Sequence, residues 1–254
     1  MSVILITGAN QGIGYFLAEK LLTENHKVIV LDREINNMEN MQKQYPENLL
    51  VFQTDVRDND SLILAVKKSL KFFKKIDIVV HNACKCTFKS MEESKLDEYQ
   101  DVFDVNYYGA LRLSKAVIPY MKKQGSGKII FTSSLVGTTG FFNISPYAST
   151  KGALESLAKC LNLEYKEYGI TFHIAHPPLT KTESASSLQV PDEFKTEAKK
   201  VGYGLAKNIF KSNFIICHNL FTSFQIHMSY LMPLKMGKML TKATKRYIES
   251  LKND

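Results

Sequence analysis

Short apolar runs alternate along the chain with longer stretches whose apolar residues recur at helical spacing. The runs Ser2–Thr7, Lys27–Leu31, Leu49–Gln53, Ile76–Val80, Lys128–Thr132 and Ile170–Ala175 are dominated by Ile, Val, Leu and Phe. Such continuous runs suit strands buried on both faces. Between them, amphipathic patterns run to about Thr23, over Glu34–Gln44 and Asn59–Phe73, and over most of Leu96–Gln124. Another runs through Tyr147 to about Tyr168. Gly125-Ser126-Gly127 and Gly169 stand where the last two stop. Strict alternation of strand and helix predicts an α/β fold: a doubly wound, Rossmann-like parallel sheet with helices on both faces. No linker-like stretch interrupts the pattern, so a single domain is expected, and 254 residues suffice for one large core.

Two stretches carry chemistry. Thr7-Gly8-Ala9-Asn10-Gln11-Gly12-Ile13-Gly14 falls between the first strand and the first helix. A glycine-rich turn there lets backbone approach a pyrophosphate, which the helix N-terminus then faces. The second strand ends in Asp32-Arg33, with Asp32 18 residues after Gly14, about where an acidic residue meets the ribose hydroxyls. A carboxylate accepts from the 2′-hydroxyl and repels a 2′-phosphate, which favours NAD. Arg33 pulls the other way, since it could pair with the phosphate of NADP. The second stretch is Ser145-Pro146-Tyr147-Ala148-Ser149-Thr150-Lys151, with Ser134 thirteen residues before Tyr147 at the end of a strand. On a helix, Tyr147 and Lys151 share one face a turn apart. A lysine there favours the phenolate and is expected to lower a tyrosine pKa that is ordinarily near ~10. With Ser134 as a hydrogen-bond donor, this makes a site for hydride chemistry at a carbonyl carbon. Taken alone, the same spacing would also fit a helix start with a surface tyrosine and lysine.

In combination these motifs resemble the short-chain dehydrogenase/reductase family over about residues 2–217. Gly8, Gly12 and Gly14 look like its T-G-x-x-x-G-x-G turn, with Asn10, Gln11 and Ile13 inside it. Asp55-Val56 resembles the pair that meets the adenine, and His81-Asn82-Ala83-Cys84 stands where the family usually has N-N-A-G. His176-Pro177-Pro178-Leu179-Thr180-Lys181-Thr182 resembles the segment that closes over the nicotinamide. Asn106, Ser134, Tyr147 and Lys151 match the family's catalytic four. The resemblance implies seven strands in the order 3-2-1-4-5-6-7, the last near Asn213–Cys217 after a helix at Tyr203–Lys211. It implies NAD, or alternatively NADP, held by Gly8, Asn10, Gln11, Gly12, Ile13, Gly14, Asp32, Arg33, Asp55, Val56, Asn82, Ala83, Tyr147, Lys151, Pro177, Leu179 and Thr182. Tyr147 would be the acid/base, Lys151 its tuner, Ser134 the oxyanion donor, and Asn106 the holder of a relay water. Cys84 and Pro178 depart from the pattern, each replacing a glycine. The implied assembly is a homodimer through the helices that carry Asn106 and Tyr147. A regulator that keeps the fold and senses the nucleotide without chemistry is the competing class, and the presence of all four catalytic matches favours the enzyme.

Composition adds little except at the C-terminus. Four cysteines form no disulfide framework, and Cys84-x-Cys86 has no second pair nearby, so no metal is expected. Met1-Ser2 leads straight into the first strand without a charged leader, and a cytoplasmic protein is expected. The net charge is +8, but no nucleic-acid-binding signature accompanies it. Residues 183–201 mix small and charged residues and suggest a mobile lid over the substrate. Residues 218–254 extend the body. Leu220, Phe221, Phe224, Met228, Leu231 and Met232 fall on one helical face. After Pro233 come Met236, Met239, Leu240, Ala243, Tyr247, Ile248 and Leu251, opposite Lys235, Lys238, Lys242, Lys245 and Arg246. Residues 201–254 hold eight Lys/Arg and two Asp/Glu, which is +6 of the +8. Such faces either dock on the protein's own body or a partner subunit, or lie in a membrane interface rich in anionic lipid. The apolar tail points to a lipophilic substrate of sphingoid, acyl, retinoid or steroid-like class, with a small polar ketone or polyol as the alternative.

Overall fold

A computed structural model describes residues 1–253. Its main sheet is built from β1 (Val3–Thr7), β2 (Lys27–Asp32), β3 (Leu49–Gln53), β4 (Ile78–His81), β5 (Gly127–Thr132), β6 (Ile170–His176) and β9 (Ile215–Cys217). Their order is β3-β2-β1-β4-β5-β6-β9, all parallel. This is the expected doubly wound order, with β9 as the seventh strand. Two further strands, β7 (Thr180–Lys181) and β8 (Thr196–Glu197), pair only with each other. The helices are α1 (Gly12–Thr23), α2 (Asn36–Gln44), α3 (Asn59–Phe73), α4 (Leu96–Phe103), α5 (Gly109–Gln124), α6 (Ser145–Glu164), α7 (Ala198–Asn208), α8 (Leu220–Leu231) and α9 (Pro233–Asn253).

Side chains alternate across each strand. On β1, Ile4 and Ile6 face the layer that holds Leu17, Leu21 and Val201, while Val3 and Leu5 face the layer of Leu62, Leu113 and Leu154. Both layers are apolar, which is why the strands read as unbroken hydrophobic runs. Strand order reverses between β1 and β4, where Thr7 pairs with both Leu31 and His81. The crevice at that switch point is where doubly wound sheets bind ligands.

Element boundaries differ from the sequence reading where side chains compete for backbone. β4 starts at Ile78, and the Asp77 carboxylate just before it accepts from Val3 N at 2.8 Å and pairs with Lys75 at 2.9 Å. α2 starts two residues late because Asp32 Oδ1 accepts from Glu34 N at 3.3 Å, holding a turn there. The Leu96–Gln124 helix is broken by a π-turn at Asp104–Tyr108. α6 ends at Glu164, and a single 3₁₀ turn, Lys166–Tyr168, carries the chain to Gly169. Gly169 is left-handed at φ +69°, and a Cβ there would lie 2.2 Å from Gly125 O, so the turn after α6 tolerates no side chain at this position. The segment expected to be a lid holds two 3₁₀ turns, Glu183–Ala185 and Asp192–Phe194, between the two strands of the small ladder.

The C-terminal helices divide the two alternatives for the tail. α9 lies against the loop at residues 139–142. Thr241 Oγ1 accepts from Phe142 N at 3.4 Å, and Gly237 sits so close to Gly140 O that a Cβ would come within 2.6 Å. α8 is turned the other way: Thr222, Ile226 and Ser229 are buried, and Thr138 Oγ1 meets Ser229 Oγ at 2.6 Å. Its apolar face is outside; α9 meets the body through Gly237 and Thr241, while Met239, Ala243 and Leu251 of its expected apolar face are exposed. Among the described residues, no helix is long and apolar enough to cross a membrane.

Candidate active site

The glycine turn is built by contacts that only glycine permits. Gly8 and Gly12 have φ of +67° and +63°, where an L side chain is strained. A Cβ on Gly8 would lie 2.6 Å from Ala83 Cα, and one on Gly14 would lie 2.3 Å from Gly8 O. β1, β4 and the start of α1 are therefore locked together at the switch point. Asn82 Nδ2 donates to Gly8 O at 2.6 Å, and Thr7 Oγ1 accepts from the backbone of Asn82 and Ala83, each at 3.1 Å. That leaves the Thr7 proton for Nδ1 of buried His81, 3.2 Å away. Burial and the Lys151 charge hold His81 near pKa 3, so it is neutral. Gln11, the residue before α1, makes no side-chain cap, and the first turn carries no acid. The helix N-terminus keeps free donors for an anion.

Asp32 Oδ2 accepts from Asn10 N at 2.8 Å, which ties the glycine turn to the end of β2. The Asn10 side chain is spent on Asn36 and on Asn37 N, at 2.9 and 3.0 Å. These bonds hold the turn against α2, and Asn10 also lines the cavity of the site. Asp55 is clasped by Arg57, whose Nη2 donates to Oδ2 at 2.8 Å, and this hydrogen bond holds its carboxyl below the usual range. Val56 is buried beneath Gly109, where a Cβ would come within 2.9 Å of its Cγ2. Arg57 is a cavity residue that the sequence reading missed; nothing in its local pattern marks it.

Lys151 is buried and donates from Nζ to Thr132 O at 2.7 Å. The same Nζ stands 5.5 Å from the centroid of the Tyr147 ring. Tyr147 is half-buried and packs edge-on against Phe88, 5.9 Å between centroids. The expectation that Lys151 lowers its pKa is not met in the protein alone. Burial pushes the phenol well above its ordinary value, the neighbouring Cys84 and Cys86 add to that push, and only the Ser134 hydroxyl opposes it. Lys151 is committed to a carbonyl and lies over the ring face, and the two thiols act on the phenol in the opposite sense. Cys84 and Cys86 have their sulfurs 3.9 Å apart. Sharing that contact, and facing Lys151, the Cys84 thiol falls to about 6 while that of Cys86 is pushed up. The C-x-C spacing, unremarkable in sequence, is thus a thiol pair on the cavity wall.

Asn106 is fully buried on the π-turn. Its Oδ1 accepts from Lys85 N at 2.8 Å, and its Nδ2 donates to Lys85 O at 2.9 Å and to Thr150 Oγ1 at 3.0 Å. Both amide protons are used, so the side chain pins the loop after β4 to α6. Behind the site, His176 Nε2 and Glu155 Oε1 are 3.1 Å apart, and Tyr230 of α8 donates to Glu155. Burial raises Glu155, but His176, Ser133 and Tyr230 outweigh it and leave the carboxyl below its ordinary value.

A single cavity of about 470 Å³ collects these groups. Every residue expected to bind cofactor or substrate lines it except Gly14, which packs beneath the turn, and Asn106, which stands behind Lys85. It accommodates a dinucleotide-sized ligand: a glycine cradle and free helix donors at one end, Asp32 at the β2 end, and Tyr147 with Ser134 further along. Pro177, Leu179 and Thr182 also line it, Thr182 so close to the cradle that a Cβ on Gly12 would come within 3.2 Å of its Cγ2, and Leu240 and Thr244 of α9 contribute to the wall. Among the described residues, no cluster of three or more His, Cys, Asp or Glu could hold a metal.

Comparison with known proteins agrees with this arrangement. A family model described as short chain dehydrogenase matches residues 2–192. "Oxidoreductase BOA17" of Botryotinia fuckeliana is 31% identical over 210 residues, covering 82% of this chain and 76% of that protein. The 3-oxoacyl-[acyl-carrier-protein] reductase FabG of Salmonella typhimurium is 32% identical over 186 residues, 73% of this chain and 76% of that one. Of two other curated relatives the chain spans 65% and 54% of the length. Among solved structures, a gluconate 5-dehydrogenase from Burkholderia cenocepacia, in complex with NADP and tartrate, superposes with a TM-score of 0.72 at 26% identity. That match covers 82% of this chain and 87% of that one. The glycine cradle, the sheet order and the family match together place the chain in the short-chain dehydrogenase/reductase family of NAD(P)-dependent oxidoreductases.

Proposed function

We propose that the enzyme interconverts a lipophilic carbonyl compound and its alcohol, with Tyr147 as the acid/base and NAD(H) as the preferred cofactor. The observation that carries this reading is the convergence of Ser134, Tyr147 and Lys151 in one cavity with the glycine cradle. The bound nicotinamide supplies or accepts the hydride at the carbonyl carbon. Tyr147 gives its proton to the carbonyl oxygen, and in the reverse direction takes it from the alcohol. A phenol held protonated by burial is set to donate. Ser134 donates a hydrogen bond to the same oxygen as charge develops on it. Lys151 fixes the Tyr147 ring from one side and supplies the cation that stabilises the phenolate left behind. Asn106 positions the Lys85 loop. The lipophilic substrate is supported by the walls of the substrate end: Val136, Phe141, Ile144, Leu188, Val190 and Leu240 are all apolar. A lipophilic substrate also fits peripheral contact with a membrane surface through residues 218–254.

The cofactor preference rests on Asp32, whose carboxylate is fixed by Asn10 N at the end of β2. NAD(H) should give the higher kcat/KM in the wild type. Asp32→Ala should shift the ratio toward NADP(H) by roughly tenfold or more, about the worth of one charge-assisted hydrogen bond. A wild type that prefers NADPH would assign the selection to Arg33 and Arg57.

The assembly that fits this reading is a homodimer through α4–α6, where Leu96, Tyr108 and Leu163 are exposed. Multi-angle light scattering should return twice the chain mass; a stable tetramer would reject it.

A further inference from the structure

α8 is inverted with respect to an ordinary surface helix. At about 100° per residue, Leu220, Phe221, Phe224, Met228 and Leu231 fall within roughly a third of its circumference. That third faces out: Leu220 is 88%, Phe221 69%, Phe224 65% and Leu231 74% exposed. The opposite arc, with Thr222, Ile226 and Ser229, is buried against the body. Residues 214–234 contain no Asp, Glu, Lys or Arg, so no charge in that segment breaks the patch. Leu234, 76% exposed, extends it past Met232 into α9.

The next helix says what covers this patch. On α9, Lys235, Lys238, Lys242 and Arg246 are exposed on the side away from the buried Gly237 and Thr244, and exposed Lys245 sits at the edge with its ammonium 5.3 Å from the Phe142 ring centroid. Glu249 is the one acid among residues 233–253. A second copy seated on α8 by a two-fold axis would bring two such basic helices together, like charge against like. An anionic lipid surface offers the complementary charge and a place for the aromatic and aliphatic side chains. α9 also lends Leu240 and Thr244 to the wall of the catalytic cavity.

We infer that α8 and α9 form a membrane-interface face that seats the enzyme on anionic bilayers, with α8 inserting its apolar arc and α9 binding headgroups. The cavity wall contributed by α9 then stands next to the surface from which a lipophilic substrate is drawn. This second step rests on the substrate reading above; the binding step does not.

The test is co-sedimentation of the full chain with vesicles of phosphatidylcholine and phosphatidylglycerol (3:1), and with phosphatidylcholine alone. The wild type should pellet with the anionic vesicles at low salt and return to the supernatant as salt rises. Phe221→Ser/Phe224→Ser should weaken binding at least tenfold. Lys238→Glu/Lys242→Glu should do the same and abolish the salt dependence. Both variants change exposed side chains and should keep wild-type circular dichroism and wild-type turnover of a water-soluble short-chain carbonyl. Equal recovery of the wild type in the supernatant with and without anionic vesicles overturns the inference. A dimer that Phe221→Ser/Phe224→Ser dissociates in light scattering overturns it too and gives the face to a second copy. Vesicle binding without turnover of any long-chain carbonyl would leave the membrane face standing and reject only the substrate reading.

Discussion

Tyr147→Phe should cut turnover by roughly 10²–10⁴-fold, the usual size of a general acid/base contribution. The substitution removes the transferable proton and little else. The ring keeps its edge-on contact with Phe88 and the Lys151 ammonium above its face. Because the phenol is driven up by burial and by the facing thiols, the hydroxyl is poorly solvated in the free protein. Its loss should therefore leave the melting temperature nearly unchanged. Cofactor affinity, followed by nicotinamide fluorescence, should also change little, since the glycine cradle and Asp32 are untouched. Near-normal turnover in a correctly folded Tyr147→Phe variant would remove Tyr147 from the chemistry. The remaining candidate donor would then be Ser134.

The fold and the outline of the site were legible because each rests on local pattern. Fully buried strands must be apolar on both faces, and a left-handed turn against a neighbouring backbone must be glycine, so β1–β6 and Gly8–Gly14 declare themselves. Tyr147 and Lys151 declare themselves through helical spacing. What stayed hidden depends on partners distant in sequence. Arg57 matters because it clasps Asp55 at the cavity. Asn106 was identified, but its partners were not: its amide protons go to Lys85 O and Thr150, which appears only once the π-turn brings it to the loop after β4. Cys84 and Cys86 looked like chance spacing, yet their sulfurs meet beside Tyr147 and raise its pKa against the expected lowering by Lys151. Helical periodicity identified the apolar face of α8 without saying which way it points. The arc that packs on the body carries Thr222, Ile226 and Ser229, with Ser229 bonded to Thr138, and this turns the apolar face outward.

Gly14→Ala should damage the cofactor site through lack of space alone. Its φ is not left-handed, so backbone strain is not the cause; space is. The added Cβ would lie 2.3 Å from Gly8 O, 2.7 Å from Asn82 Nδ2 and 2.9 Å from Ala9 Cα. Two of these three atoms are backbone of the turn itself, and the third is the side chain that bonds Gly8 O at 2.6 Å. None is the free end of a pliant side chain. α1 must therefore move off the turn, breaking the Asn82–Gly8 bond and displacing the free helix donors from the anion they serve. Overpacking of this kind costs about 1–3 kcal/mol, and the lost hydrogen bond about 0.5–1.5 kcal/mol more. If most of that cost falls on the bound geometry, cofactor affinity drops by roughly 10²-fold. Gly125→Ala is the matched control. Gly125 is left-handed at φ +68°, but a Cβ there meets nothing within 4 Å. It should lose about 1–2 kcal/mol of stability from backbone strain and keep full cofactor affinity. Titration of each variant with NADH, alongside its thermal melt, separates the two effects. Cofactor affinity in Gly14→Ala within about threefold of wild type, a difference of less than ~0.7 kcal/mol, would show that α1 can shift without disturbing the cradle.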